Sequence, residues 1–333
     1  MRSEISRADN TQPEILAPVN ALEEVTPLME AGAHWLYGGV LPIEWADRFP
    51  STVLLNQRTF ESAQFPDMAQ LEDAVLKTRE HGGAFALTLN APFYMDEQMP
   101  LVVELARWAA HAGIGALIVA DPGLIVRLGD EGIELPLHLS TMGIAANAHS
   151  VRFYVDQGIT RVILPRFLNL EQISALTGAM PSVEYEAFIL VGKCPNIEGI
   201  CTFLHDSPDR RWPCEWEWDL ADEAGDRPPL NISGHFSGIR KSDRRDGCGL
   251  CALPALKAAG VSTFKVVGRG APLQRKLQLV GQLGRLLKEV PAHPNEAWFR
   301  ACRESYQRLY GRRCCEHNCY YPDVDPCGQG PGC

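Results

Sequence analysis

Eight short apolar runs, separated by longer stretches of helical periodicity, leave this sequence few folds to choose from. The runs are EILAP (14–18), HWLYGG (34–39), AFALTLN (84–90), GALIVAD (115–121), LPLHLST (135–141), RVILPR (161–166), EYEAFILV (184–191) and STFKVVG (262–268). Most are continuously apolar, as strands buried on both faces of a parallel sheet are. Stretches between them, such as Pro66–His81 and Met99–Ala112, have the length of crossover helices. Both carry proline at or beside their start, where a helix tolerates the missing N–H. Eight such units over roughly 250 residues predict a (β/α)8 TIM-like barrel. A doubly wound open sheet is the alternative, but no Gly-rich dinucleotide fingerprint follows the first run.

The rhythm breaks twice. From Gly192 to Leu250 no strand–helix unit is visible, and a stretch this long inside a domain is functional or disordered as a rule. It leaves the seventh strand, which in a barrel places it on the face where active sites are built. After Pro291 one helix, Glu296–Tyr310, leads into a cysteine-rich tail. The expected organisation is an N-terminal tail (1–12), a barrel (13–291) containing an insert (192–251), and a C-terminal helix and tail (292–333).

All eleven cysteines lie at or beyond residue 194. An odd number crowded into one part of a chain points to metal or redox chemistry rather than a disulfide framework. The first group, Cys194, Cys201, Cys214, Cys248 and Cys251, has the spacing C-x6-C-x12-C-x33-C-x2-C. Four thiolates from one loop hold either a 4Fe–4S cluster or a structural zinc, and spacing alone does not separate the two. The second group comprises Cys302, Cys314, Cys315, Cys319, Cys327 and Cys333. Within it Cys314, Cys315, Cys319 and Cys327, with His317 nearby, are dense enough for a second metal or cluster; a disordered tail or redox-active thiols are the alternatives.

The net charge of −10 argues against broad nucleic-acid or membrane-surface binding. No run approaches the ~20 apolar residues of a membrane span, and the N-terminus has no hydrophobic leader. A cytoplasmic location is expected.

In a barrel, polar residues at the C-terminal ends of strands are the site candidates. Here these are Tyr37, Asn90, Asp121, Ser140, Thr141, Arg166, Glu186, Lys265 and Arg269. Arg166, Lys265, Asp121 and Glu186 carry the charges suited to catalysis; Tyr37, Asn90, Ser140, Thr141 and Arg269 suit substrate binding. Arg166, Lys265 or Arg269 would neutralise an anionic substrate. Asp121, before Pro122, equally suits a helix cap. His138 in its apolar run reads as a core histidine. His205 is a minor candidate for a metal ligand. Trp212, Trp216 and Trp218 read as packing of the insert, and RKSDRR (240–245) as a solvated loop. The H-E-x-x-H, G-x-S-x-G and P-loop motifs are absent, so no hydrolase site is evident.

Several segments resemble the peptidase U32 family, named for collagenase-like proteases. CPNIEGIC matches its C-x4-G-x-C signature, and DGCGLCALPALKAAGVSTFKVVGR resembles its leucine-rich helix followed by K-I-E-G-R. EILAPVNALEEVTPLMEAGAHWLYGG and LHLSTMGIAANAHSVRFYVDQGITRVILPR are similar to its opening and to its L-H-x-S-T-Q segment. The resemblance covers about residues 13–290 and leaves the tail after Cys302 outside the usual pattern. It implies one 4Fe–4S cluster on Cys194, Cys201, Cys214 and Cys248, with Cys251 a bystander. Met142 replaces the family's S-T-Q glutamine, Val267 its K-I-E-G-R glutamate, and Leu190 or Val191 the histidine before the first cysteine.

Length and the single four-cysteine set are most similar to the UbiU-like members, which hydroxylate ubiquinone precursors without oxygen. That implies an Fe–S-dependent hydroxylase of a small molecule, prephenate as oxygen donor, and a heterodimer with a second family member. RNA hydroxylation is the alternative enzyme class, which the net charge disfavours. A non-enzymatic Fe–S scaffold or electron-transfer subunit is the alternative outside catalysis. Peptidase chemistry is not expected.

Overall fold

The computed structural model describes residues 12–49, 55–58, 61–194, 196–201, 219–220, 230–231 and 246–324. Its strands are β1 (Glu14–Pro18), β2 (Trp35–Gly38), β3 (Ala84–Leu89), β4 (Ala116–Val119), β5 (Leu137–Leu139), β6 (Ile159–Ile163), β7 (Glu184–Leu190), β8 (Asp219–Leu220), β9 (Leu230–Asn231) and β10 (Thr263–Val266). Eight of them close into a parallel barrel in the order β1-β10-β7-β6-β5-β4-β3-β2, while β8 and β9 form a separate antiparallel pair in the insert. The helices are α1 (Val25–Glu30), α2 (Ile43–Arg48), α3 (Met68–Glu80), α4 (Met99–His111), α5 (Pro122–Asp130), α6 (Ala148–Asp156), α7 (Leu170–Ala179), α8 (Leu253–Ala258), α9 (Leu273–Lys288) and α10 (Glu296–Tyr310).

Each of the eight apolar runs supplies one barrel strand. Most strands are trimmed at their edges relative to the runs, and two depart from them most. The run at 135–141 shortens because the Ser140 side chain accepts from Met142 N at 3.3 Å and starts a 3-10 turn. The sixth strand begins earlier, at Ile159, because Gly158 (φ 102°) ends the α6 turn and lets Ile159 pair with Leu137. Helix starts follow local chemistry: Asp67, Asn147 and Asn169 cap α3, α6 and α7 through their side chains, the last in a reciprocal capping box with Gln172.

Alternation along the strands produces two packed zones. Residues such as Leu36, Leu87, Val119, Leu139, Val162 and Phe264 belong to the main apolar core with the helices. A second cluster, Leu16, Tyr37, Ala86, Ala116, Ile118 and Ile163, with Trp35 and Phe188 against it, fills the barrel. The alanines leave the room that the aromatic rings take.

Charge is also stored inside. Glu186 is fully buried; its carboxylate lies 2.9 Å from Lys265 Nζ and 3.9 Å from Arg161 Nη1. Arg161 continues to Glu184 at 2.8 Å and Glu14 at 3.5 Å, and its guanidinium lies 4.9 Å from the Trp35 ring centroid. His138 packs beside it, 5.5 Å from the Trp35 ring and 2% exposed, which is the core placement expected.

No helix among the described residues is long and apolar enough to cross a membrane.

Two outcomes follow from this interior. Glu186→Gln strips Lys265 of its carboxylate, and removing one partner of a buried pair costs about 3–5 kcal/mol. The urea midpoint should fall accordingly with an unchanged slope. Burial, then the charges of Arg161 and Lys265, hold the His138 pKa well below its usual value. The unfolded chain therefore binds a proton near pH 6.5 that the fold refuses. Stability is retained above that pH and falls as pH drops below it; His138→Leu should flatten the slope of unfolding free energy between about pH 6.5 and 5.

Candidate functional site

At the C-terminal ends of the strands the barrel opens into a cavity of about 500 Å³, a size that suits a small molecule or a single nucleoside. Tyr37, Asn90, Ser140, Thr141, Arg166, Lys265, Arg269, Cys194 and Cys201 line it, so nine of the residues singled out from sequence meet in one place. Asp121 does not: its carboxylate accepts from Gly123 N and Tyr94 N, each at 2.8 Å, and caps α5. Glu186 lies beneath the cavity in the ion cluster and is not part of its lining. Cys248 is buried next to the end of β7, in an antiparallel bridge with Leu190. Cys214, His205, the three tryptophans of the insert, the RKSDRR run and Cys327 fall outside the described residues, as does the side chain of His317.

The cavity also takes Arg58, Thr88, Phe188 and Glu198, which the sequence reading did not name. Phe188 was legible, since it shares the inward parity of Glu186 on β7. Glu198 sits inside the CPNIEGIC motif but gave no sign of its partner. Arg58 comes from a connection between α2 and α3 that carries no periodic signal.

Cations dominate the lining. Glu198 is the one carboxylate among the described lining residues, and it pairs with Arg166 Nε. Burial alone would lower the Arg166 pKa, but the facing Glu198 outweighs it and holds it up. Arg166 lies 4.7 Å from the Phe188 ring centroid. Lys265 Nζ sits 4.2 Å from the centre of the Tyr37 ring; burial lowers its pKa, with Glu186 opposing. Tyr37 is pushed up to about 12, chiefly by burial.

Arg269 stands apart, because no carboxylate faces it among the described residues. It donates to Thr88 Oγ1 at 2.9 Å, Asn56 O at 2.6 Å and Asn56 Oδ1 at 3.3 Å. Asn56 is itself locked by a reciprocal amide pair with Gln64, both bonds 2.9 Å. Burial first, and then the charge of Arg58, bring the Arg269 pKa down to about 9. Gly39 makes the arrangement possible: a Cβ there would lie 2.4 Å from Asn56 Nδ2 and 2.8 Å from Arg269 Nη1. Met142 and Val267, two of the three departures from the family pattern, line this cavity. With valine at the family's glutamate position, no acid arises beside Arg269.

The thiols are the candidate metal donors. Cys194 and Cys201 are partly buried and share the cavity wall, with Cys248 behind the same strand end. Soft thiolate sulfur fits an iron–sulfur cluster or zinc. Among the described residues, no three His, Cys, Asp or Glu side chains are gathered tightly enough to hold a metal ion, and this includes the described tail cysteines.

Residues 20–323 match the model of Peptidase family U32. The match runs beyond the limit near residue 290 expected from sequence and takes in the tail after Cys302 as far as Asp323. Among curated relatives, tRNA hydroxylation protein P of Escherichia coli K12 is 28% identical over 63% of this chain and 44% of its own length. The 23S rRNA 5-hydroxycytidine C2501 synthase of the same organism is 30% identical over 62% of this chain and 31% of its own. A protein named Collagenase from Porphyromonas gingivalis W83 is 28% identical over 60% of this chain and 48% of its own. The chain thus spans less than half the length of these relatives.

The ligand set that the family resemblance implies can be tested thiol by thiol. Cys251 is buried, and its carbonyl accepts from Trp298 Nε1 at 3.2 Å in the packing under α10. Cys251→Ser should leave iron and sulfide per chain near the wild-type value after anaerobic purification. Cys194→Ser, Cys201→Ser and Cys248→Ser should each lower both.

Proposed function

The chain belongs to peptidase family U32, and on that footing we propose that it is an iron–sulfur-dependent hydroxylase acting on RNA. The observation that carries this reading is Arg269, a partly buried guanidinium at the cavity wall with no carboxylate partner among the described residues. Such a cation, half withdrawn from water and held by neutral oxygens, gains from an anionic group of a ligand. The curated relatives named for RNA hydroxylation supply the reaction class and the substrate class.

In this reading Arg269, Arg58 and Arg166 bind a phosphate or carboxylate, and Tyr37 and Phe188 form aromatic walls for an unstacked base. Asn90, Ser140 and Thr141 offer hydrogen bonds along the ring edge. Lys265, with its pKa lowered by burial, holds or yields a proton at Nζ on the cavity floor. Cys194, Cys201, Cys214 and Cys248 would hold a 4Fe–4S cluster, which supplies one-electron chemistry when bound.

A second reading keeps the same cavity for a small molecule, such as a quinone precursor, with prephenate as oxygen donor and a second family member as partner. The net charge of −10 favours it, since a polyanionic substrate is repelled at long range.

Mass spectrometry of nucleosides separates the two. Deleting the gene should abolish one hydroxylated nucleoside in total RNA, and the wild-type chain should restore it. Arg269→Ala should fail to restore it, because losing a buried charge contact costs roughly 2–5 kcal/mol of binding. An unchanged nucleoside profile with an altered quinone-precursor profile would establish the second reading.

A further inference from the structure

The chain leaves β7 through two successive left-handed residues, Val191 (φ 66°) and Gly192 (φ 76°). Glycine adopts this conformation freely, but for a β-branched residue it is an outlier that the surroundings must enforce. Its result is visible two residues on, where Cys194 reaches the cavity wall.

The bonds that hold this turn come largely from the far end of the chain. Val191 N donates to Gly247 O at 2.8 Å, and Val191 O accepts from the Tyr320 hydroxyl at 2.7 Å. Gly192 O accepts from Arg166 Nη1. Lys193 Nζ donates to Glu316 O at 3.1 Å and to Cys319 O. The segment carrying Tyr320 is itself anchored: Cys248 N donates to Asn318 O and Tyr320 N to Cys248 O, each at 2.8 Å. Asn318 Nδ2 donates to the Tyr306 hydroxyl at 2.6 Å, and Arg312 pairs with Asp246 at 3.0 Å. Tyr320 is 7% exposed and lies within electrostatic range of Arg166, Glu198 and Cys194.

We propose that Tyr320 is a positioning residue: its hydroxyl clamps the strained Val191–Gly192 turn and so sets Cys194 in the cavity wall. The C-terminal segment is then a working part of the site, whether or not its own cysteines ligate a metal. The inference rests on the reading of Cys194 as a residue of the working cavity, but not on the substrate of that cavity.

The test reads placement rather than turnover. Full-length protein as purified is treated with iodoacetamide, and the alkylation rate of each cysteine is followed by mass spectrometry. Tyr320→Phe keeps the ring and leaves Val191 O without its donor. The rate at Cys194 should rise about fivefold, the change expected for losing one buried hydrogen bond. Cys302, buried in α10, should be unaffected. Combining Y320F with V191G removes the strain that the clamp opposes, and the Cys194 rate should return toward wild type. An unchanged Cys194 rate in Y320F overturns the proposal. So does a parallel rise at Cys302, which would mean general loosening, or a failure of V191G to rescue. Absence of RNA hydroxylation by the wild-type chain, with these alkylation rates as expected, would count against the proposed function alone.

Discussion

The buried contact between Glu186 and Lys265 carries much of this barrel's design. Both residues point inward from neighbouring strands, β7 and β10, and both are almost wholly removed from water. Neither charge could stay there alone. Arg161 on β6 completes the set from below, and its other partners, Glu184 and Glu14, reach solvent at the N-terminal end. The ions therefore run as a column from the solvated bottom of the barrel to the floor of the cavity. Lys265 forms the top of that column and also the bottom of the site, so its position and protonation state are set by the fold's own interior.

The site above obeys the opposite rule. Inside the barrel each cation meets a carboxylate; at the mouth, Arg166 has Glu198, while Arg269 is held by neutral oxygens of Thr88 and Asn56. Those oxygens orient the guanidinium without cancelling its charge. Gly39 contributes by lacking a side chain, and the Asn56–Gln64 amide pair fixes the oxygen that Arg269 needs. The guanidinium is thus fixed in one orientation by the fold itself.

Much of this was legible in the sequence, and for a definite reason. Parallel strands covered by helices are apolar on both faces, so every barrel strand announced itself as a run, and residues at the ends of those runs fell into the cavity. What the runs could not show was direction and partner. Asp121 and Arg166 both follow an apolar run, yet Asp121 turns to cap α5 and Arg166 turns inward. Glu186 is inside a run, and its parity places it in the barrel rather than at the mouth. Arg58 and Gln64 belong to a connection without periodicity. The tail was illegible for another reason: it is tied down by backbone bonds to Cys248 and by the Tyr320 hydroxyl on Val191 O, which leave no periodic pattern in the sequence.

The acidic balance of the chain and the cationic cavity are compatible because they act over different distances. Exposed carboxylates such as Glu44, Glu184 and Glu296 are solvated, and their fields decay over about 8 Å at physiological ionic strength. Arg269 and Lys265 act across a few ångströms within a poorly polarisable wall, where screening is slight. The outer charge governs whether a polyanion approaches; the inner charge governs what is held once it enters. The two ranges of charge come together at the mouth of the barrel, where the Val191–Gly192 turn, Glu198 and Arg166 meet the C-terminal segment.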